Sequence, residues 1–336
     1  MQRALTLAKK GKGNVSPNPM VGCVIVKEGN IIGEGYHEIY GGPHAEVNAV
    51  KDAGEENVRD TFVFVTLEPC SHYGKTPPCA ALLARLKPKK VIICNDDPNP
   101  LVAGKGINML KEAGIAVEKG ILEDEGFTMN RPFFTFMTKK KPYIILKWAQ
   151  TADGFIARKN YDSKWISCKS SRILVHQWRA DEDAIMIGTN TAIYDNPKLD
   201  VRFGISGKNP IRVVIDKNLK INTKHHLFDQ KQDTLCYNLL KNNQKLNLEY
   251  IKLDDTNFLD ALIKDLYKRK IQTVIVEGGS YLLNTLIKEG LWDEARVFIA
   301  PTKFQTGITA PTLQNEIIKK QTIDIDELNI YYKKHD

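Results

Sequence analysis

His44, Cys70 and Cys79 fall in the first third of the chain, in the pattern Pro43-His44-Ala45-Glu46, then Pro69-Cys70, then Cys79. If one imidazole and two thiolates are to meet a single ion, the segments around residues 44, 70 and 79 must converge, and few chain paths allow that. Zinc takes such donors, and a zinc centre with three protein ligands keeps its fourth position open for water. The metal lowers the pKa of that water to about 7. Glu46 lies two residues from His44, beside the site and not needed as a ligand. A carboxylate there can take the water's proton and pass it to a ring nitrogen, then to leaving ammonia. Two other readings use the same residues: a structural zinc site, with His72 as a fourth ligand, or cysteines that are simply buried.

The segments around these residues read as strands and helices in alternation. Val21–Val26 and Ile31–Tyr36 are short apolar runs across the turn Lys27-Glu28-Gly29-Asn30, the pattern of a hairpin. Ala45, Val47, Val50 and Ala53 recur at near-helical spacing, and Gly54 suits a C-terminal cap. Thr61–Thr66 and Val91–Cys94 are strand-like, whereas Ala80–Leu86 and Ile107–Ala113 are helical. After residue 142, the runs Tyr143–Trp148, Ala184–Gly188, Arg212–Asp216, Thr273–Val276 and Ala295–Ala300 read as strands. Ser170–Arg179 and Leu282–Lys288 read as helices, and the stretch 217–250 is less regular. Alternation of this kind predicts two α/β domains. The seam is Met137-Thr138-Lys139-Lys140-Lys141-Pro142, where three lysines before a proline resist helix and core alike, so the domains are placed at 1–141 and 142–336.

A length of 336 residues agrees with two domains, and no apolar run approaches a membrane span. The opening residues Met1–Lys10 have too short an apolar stretch for a signal peptide, so the expectation is a soluble, cytoplasmic protein without a membrane partner. The chain opens inside what reads as its first helix, and a few residues are expected to precede it. The net charge of +8 is spread as +3 over 1–141 (19 basic, 16 acidic) and +5 over 142–336 (29 basic, 24 acidic). A nucleic-acid arm would concentrate that surplus, whereas a diffuse one suits small phosphorylated substrates. The six cysteines are too few for a disulfide scaffold.

His-x-Glu followed by Pro-Cys and a further Cys is the pattern of zinc nucleobase deaminases, which have two residues between the cysteines. Here there are eight, Ser71 to Pro78, and they include His72, Tyr73, Lys75 and Thr76. Together with Ser16-Pro17-Asn18-Pro19-Met20-Val21-Gly22, Gly35-Tyr36-His37, Thr66-Leu67-Glu68-Pro69-Cys70-Ser71-His72, Asp97-Pro98-Asn99-Pro100 and Gly104-Lys105-Gly106, this resembles the bifunctional deaminase/reductase family of riboflavin biosynthesis. The likeness runs in order through both halves. It implies a cytidine-deaminase-like α/β/α domain followed by a dihydrofolate-reductase-like α/β domain. It also implies two consecutive steps on 2,5-diamino-6-ribosylamino-4(3H)-pyrimidinone 5′-phosphate, namely deamination and then NADPH-dependent reduction of the ribosyl chain. Zinc falls on His44, Cys70 and Cys79, the proton shuttle on Glu46, and deaminase substrate contacts on Asn18, His37 and Lys75. Family members associate through the reductase half, so a homo-oligomer is expected.

In the second half, Lys147-Trp148-Ala149-Gln150-Thr151-Ala152-Asp153-Gly154 resembles the opening strand of the family's reductase domain, and the resemblance puts Ala149 on the cofactor. Ser163-Lys164-Trp165-Ile166-Ser167, Trp178-Arg179-Ala180, Gly188-Thr189-Asn190-Thr191, Asp195-Asn196-Pro197, Leu199 and Arg202 continue in register. The resemblance implies substrate contacts at Ser163, Arg179, Leu199, Arg202 and Glu277. It implies cofactor contacts at Trp165, Thr191, Asp195, Gly279, Ser280, Tyr281, Leu282, Leu283, Asn284 and Thr285. Arg suits a phosphate because its planar fork binds two oxygens at once. Gly278-Gly279 lies between a strand and a helix, where backbone N–H groups can approach a pyrophosphate. Lys147 and Asp195 are the candidates for proton handling or polarisation during hydride transfer. Lys217 stands where the family has a small hydroxyl residue, a departure from the pattern at one cofactor contact that leaves a cation able to meet the 2′-phosphate of NADPH instead.

Three competing readings stay open at this level. One is an RNA-editing zinc deaminase with a docking tail, which predicts a two-residue cysteine gap and a basic aromatic face. Another is a zinc-stabilised binding module, which has no use for Glu46. The third is a chain in which one half alone is active.

Overall fold

The computed structural model describes residues 1–71, 77–99, 103–164 and 166–333, and these divide into two compact units, Met1–Lys140 and Lys141–Asp336. Unit 1 runs α1 (Gln2–Ala8), β1 (Gly22–Lys27), β2 (Asn30–Tyr36), α2 (Ala45–Ala53), β3 (Phe62–Leu67), α3 (Cys79–Leu86), β4 (Lys90–Asn95), α4 (Lys105–Glu112), β5 (Ala116–Lys119), α5 (Glu123–Met129) and α6 (Arg131–Lys139). The sheet order is β2-β1-β3-β4-β5. β1 runs antiparallel to both β2 and β3, and β3, β4 and β5 are mutually parallel. One face packs Cys23, Ile25, Val63, Val65, Val91 and Ile93 against helix residues that include Ala45, Ala49, Val50, Leu83 and Leu110. Along β1 and β3, Cys23, Ile25, Val63 and Val65 enter this core, while Val24 and Phe64 between them join a second cluster with Ala4 and Leu7 of α1, the period-two pattern of a strand.

The expected lysine seam does not resist helix. α6 takes in Met137, Thr138 and Lys139, and the chain leaves it at Lys140, whose φ is 53°. Lysine is a good helix former, and cations at a helix C-terminus offset its dipole, so the charges favour the last turn.

Unit 2 runs β6 (Tyr143–Thr151), β7 (Phe155–Ala157), α7 (Lys169–Asp181), β8 (Ala184–Gly188), α8 (Thr189–Asp195), β9 (Ile211–Ile215), β10 (Thr234–Asn238), β11 (Asn243–Lys245), β12 (Leu248–Lys252), α9 (Phe258–Lys268), β13 (Thr273–Val276), α10 (Ser280–Lys288), β14 (Glu294–Ala300), β15 (Ile308–Thr309), β16 (Ile317–Ile323) and β17 (Asp326–Tyr332). Its main sheet has the order β11-β12-β10-β9-β8-β13-β6-β14-β17-β16. The seven strands from β12 to β14 are mutually parallel, and antiparallel strands close both edges. The irregular stretch 217–250 therefore holds strands that the sequence reading did not separate. β10 is buried along its whole length yet reads Thr-Leu-Cys-Tyr-Asn, too short and too polar to stand out.

β6 shows how the sheet is covered. Ile144, Leu146 and Trp148 enter the core shared with α9 and α10, while Tyr143 and Ile145 enter the core shared with α7 and α8. A strand buried on both faces reads as a continuous apolar run, which is why Tyr143–Trp148 was visible in the sequence. Among the described residues no helix is long and apolar enough to cross a membrane.

Candidate functional site

In unit 1, His44 caps α2 in an extended conformation, and Asn48 one turn later donates to the Tyr36 carbonyl at 2.9 Å, tying α2 to the end of β2. Cys70 follows β3, and Cys79 opens α3. These elements bring His44 Nδ1, Cys70 Sγ and Cys79 Sγ within 4.8 Å of one another. Nδ1 lies 3.5 Å from the first sulfur and 3.4 Å from the second. A tetrahedral zinc with ordinary Zn–S and Zn–N bonds has an S···N edge of about 3.6 Å, so the three donors fit that ion. The Cys79 N–H points at Cys70 Sγ from 3.3 Å, a contact that favours thiolate on Cys70. The Cys70 thiol is lowered by its hydrogen bond with Cys79, against burial, with His44 adding to the effect.

Glu46, the second residue of α2, is 3% exposed. Burial, with the negative Cys70 nearby, pushes its carboxyl up to about 7. His37 Nδ1 donates to the Pro43 carbonyl at 2.9 Å, which leaves Nε2 to accept from the Asn18 amide at 3.2 Å. The His37 ring is lowered by burial and by its edge-on neighbour His44, against the Pro43 bond. The Asn18 carbonyl oxygen is not used in that bond. Lys75 and the rest of 72–76 lie outside the described residues.

Glu68, quoted above within a motif but given no role, proves to be the anchor of the Cys70 loop. It is 3% exposed and accepts from the N–H groups of Gly104 and Gly106, both at 3.0 Å, and of Ile107 at 3.3 Å. These include free N–H groups of the first turn of α4, where a carboxylate also meets the positive end of the dipole. Gly106 sits so close that a Cβ there would lie 2.0 Å from the Pro69 carbonyl oxygen. Gly106→Ala is therefore expected to push the Pro69-Cys70 segment out of place and lower the zinc bound per chain well below that of the parent, as measured by metal analysis of the purified proteins.

In unit 2 a cavity of about 1450 Å³ opens at the carboxyl ends of β6, β8, β9 and β13, where open α/β sheets bind ligands. That volume exceeds the roughly 300–1,000 Å³ of an ordinary small-molecule pocket. Lys147, Arg179 and Glu277 form its charged wall. Arg179 Nε and Nη2 donate to the two Glu277 oxygens at 2.7 and 2.8 Å, and Nη1 donates to the Asp200 carbonyl at 3.1 Å. Lys147 Nζ is 3.7 Å from Glu277. Burial works against the Glu277 charge, but Arg179 and Lys147 outweigh it and hold the carboxyl down at about 2. Burial lowers Lys147, with Glu277 opposing. Asp195, at the end of α8, is raised by burial, while Lys164 and a Ser163 hydrogen bond pull it back.

The expected cofactor segment also lines this cavity, with Ala149, Thr191, Gly279, Ser280, Tyr281 and Leu282 among its walls. Leu283 and Thr285 line it as well, and so do the expected substrate residues Ser163 and Arg202. Gly279 has a φ of 70° and lies against Thr191, whose hydroxyl would be 3.2 Å from an added Cβ. Two expected residues do not line the cavity. The Leu199 side chain is packed in the core at 2% exposure, leaving only its backbone toward the loop, and Asn284 faces Ser280 on the outer side of α10. Trp165 lies outside the described residues. Lys217 does reach the cavity, but its Nζ is paired with Asp255 at 2.6 Å and lies over the Phe258 ring. His176, which sequence reasoning missed, lines the cavity too; its signal was its position three residues before Arg179 on one helix face.

Comparisons with known proteins agree with this geometry. Residues 142–322 match the RibD C-terminal domain, and residues 1–95 match the cytidine and deoxycytidylate deaminase zinc-binding region. The chain is 40% identical to riboflavin biosynthesis protein RibD of Aquifex aeolicus, over 100% of this chain and 98% of the relative. It is 37% identical to RibD of Escherichia coli, over 90% of this chain and 86% of the relative. Among solved structures it is similar to a diaminohydroxyphosphoribosylaminopyrimidine deaminase/5-amino-6-(5-phosphoribosylamino)uracil reductase of Thermotoga maritima. That match has a TM-score of 0.91 and 36% identity, and it covers 99% of this chain and 97% of the other.

Proposed function

The chain belongs to the RibD family, bifunctional enzymes of riboflavin biosynthesis with a cytidine-deaminase-like domain and a dihydrofolate-reductase-like domain, and from that premise we propose how its own residues divide the work. Residues 1–141 hydrolyse the exocyclic amine at C2 of 2,5-diamino-6-ribosylamino-4(3H)-pyrimidinone 5′-phosphate. Residues 142–336 then reduce the ribosyl chain of the deaminated product to ribityl with NADPH. The observation that carries this reading is the convergence of His44, Cys70 and Cys79 with the non-ligand Glu46 buried beside them.

Zinc held by His44, Cys70 and Cys79 supplies a Lewis acid that brings the pKa of water to about 7. Glu46 takes the proton that the attacking water loses, delivers it to the ring nitrogen next to C2, and serves the departing amine in the same way. The C–N bond breaks, a C–O bond takes its place, and ammonia leaves. Asn18 accepts from the pyrimidine through the carbonyl oxygen that its bond with His37 does not use, held in orientation by that bond. The assignment of Lys75 to the phosphate rests on the family resemblance.

NADPH supplies the hydride. Arg179 spends three of its N–H groups on Glu277 and Asp200, so its main task is to fix the Glu277 carboxylate, which accepts from the ribosyl hydroxyls. Arg202 keeps Nε on Asp200 at 3.0 Å and offers its terminal nitrogens to the phosphate. When C1 of the opened, imine-like chain gains the hydride, the adjoining nitrogen gains a proton. Lys147 is placed to supply it, with Asp195 as the second candidate.

The test is product analysis of the purified protein with the diaminopyrimidine ribotide, with and without NADPH. Ammonia is expected without NADPH, and NADPH oxidation only once deamination has occurred. Oxidation of NADPH with no prior ammonia release would reverse the order, and absence of ammonia from zinc-loaded protein would sink the deaminase assignment.

A further inference from the structure

We propose that His176 is a positioning residue for the reductase site, holding the Arg202 backbone and through it aiming the Arg202 guanidinium at the substrate phosphate. The inference rests on the reading that Arg202 meets that phosphate.

The loop that carries Arg202 has no strand ladder to hold it. Leu199, Phe203 and Gly204 have φ values of 53°, 65° and 70°, so the backbone turns sharply into the left-handed region at both ends of a six-residue stretch. Side chains from elsewhere fix it one residue at a time. Gln232 donates to the Leu199 carbonyl at 3.2 Å, and Arg179 to the Asp200 carbonyl at 3.1 Å. The Val201 N–H donates to Asn209 at 2.8 Å, and the Arg202 N–H donates to His176 Nδ1 at 3.1 Å. Four successive residues thus each have their own external partner. The last of these bonds is the one made to Arg202 itself.

His176 is suited to that task. It lies on α7 three residues before Arg179, so both face the cavity from one side of the helix. Its ring is 5% exposed and packs edge-on against Phe203, with centroids 5.0 Å apart. Accepting from a backbone N–H requires Nδ1 to be unprotonated, which places the ring proton on Nε2. Burial, helped by the Arg179 and Arg202 charges and opposed by Glu277 and Asp200, pushes the ring down to about 4, so the acceptor survives at neutral pH. The Arg202 side chain remains half exposed, with Nε on Asp200. Two-point recognition of a phosphate needs the guanidinium in one orientation, and a backbone freed at residue 202 would have to be ordered again each time substrate binds. That cost falls on binding rather than on the chemical step.

The experiment compares His176→Leu, His176→Asn and Arg202→Ala in the full chain. NADPH oxidation is followed with the deaminated ribotide and with the corresponding riboside, which lacks the phosphate. Loss of one ordering hydrogen bond is expected to raise the ribotide KM of His176→Leu roughly tenfold, with kcat within about twofold. The preference for ribotide over riboside, as a ratio of kcat/KM, should narrow by a similar factor. Asn places a carbonyl oxygen where Nδ1 was, so His176→Asn should recover most of the loss. The proposal is overturned if His176→Leu affects ribotide and riboside equally, if the loss appears in kcat, or if Asn is no better than Leu. Arg202→Ala separates the two layers. A narrowed preference in Arg202→Ala alone removes the positioning role and leaves Arg202 on the phosphate. An unchanged preference in Arg202→Ala removes the phosphate assignment, and this proposal with it.

Discussion

Glu46→Gln is expected to lower ammonia release by about 10²–10⁴-fold, the usual worth of a positioned proton-transfer group, while leaving NADPH-dependent reduction of the deaminated ribotide at its parental rate. Gln has nearly the shape of Glu, so the packed environment of a residue only 3% exposed is preserved. What disappears is the ability to receive a proton and give it back. Because Glu46 is not one of the three converging donors, zinc content should stay at one ion per chain, and this separates the expected result from loss of the metal. Ammonia production within tenfold of the parent would remove Glu46 from the proton path. Loss of the reductase activity as well would show that the substitution had damaged the whole chain.

Glu277→Leu is expected to destabilise unit 2 by about 3–5 kcal/mol, the cost of breaking a buried pair by removing one partner, and to abolish reduction. The variant strands two cations, since the Arg179 and Lys147 side chains are only 10% and 15% exposed. The four tryptophans, Trp148, Trp165, Trp178 and Trp292, all lie beyond residue 142, so tryptophan fluorescence during thermal unfolding reports on this unit alone. A Tm lower by on the order of 10 °C is the expected reading. The pH dependence provides a second check. The folded Glu277 carboxyl is held below the ordinary carboxylate range, at about 2, so the stability it contributes is fully present above that range. It is lost as the pH falls from about 4 toward 2. The variant should lack that loss. An unchanged Tm would mean that Arg179 and Lys147 find other partners and that the cluster is not what holds this wall together.

The candidate metal site was legible because its chemistry needs rare residue types at fixed places, and the donor atoms of His44, Cys70 and Cys79 do come within 4.8 Å of one another. Strands buried on both faces, such as β6, β8 and β13, announced themselves as short apolar runs. Other features were hidden for physical reasons. The C-terminal pair β16 and β17 lies at the sheet edge, where β16 is mostly exposed and carries Lys319 and Lys320, so no apolar alternation marks it. α6 was obscured because its terminal lysines suit a helix end as well as they suit a linker. Glu68 and His176 act by hydrogen bonds to distant backbone, at Gly104–Ile107 and at Arg202, and such partners leave no trace in local sequence. Arg179 was expected on the phosphate. Its buried pairing with Glu277 became apparent only once β13 was known to end beside α7.

The strand pairing of β6 also governs the order in which the chain can fold. β6 emerges first in unit 2, yet its neighbours on either side are β13 and β14, more than a hundred residues later in the chain. Closing such a loop costs entropy before any contact repays it. On the ribosome, the sheet of unit 1 has all its strands by Lys119, whereas the middle of unit 2 must wait until β14 has been made. The deaminase half can therefore be complete while the reductase half is still an open chain with Tyr143–Trp148 uncovered. That interval is when a nascent molecule of this kind is most exposed to aggregation.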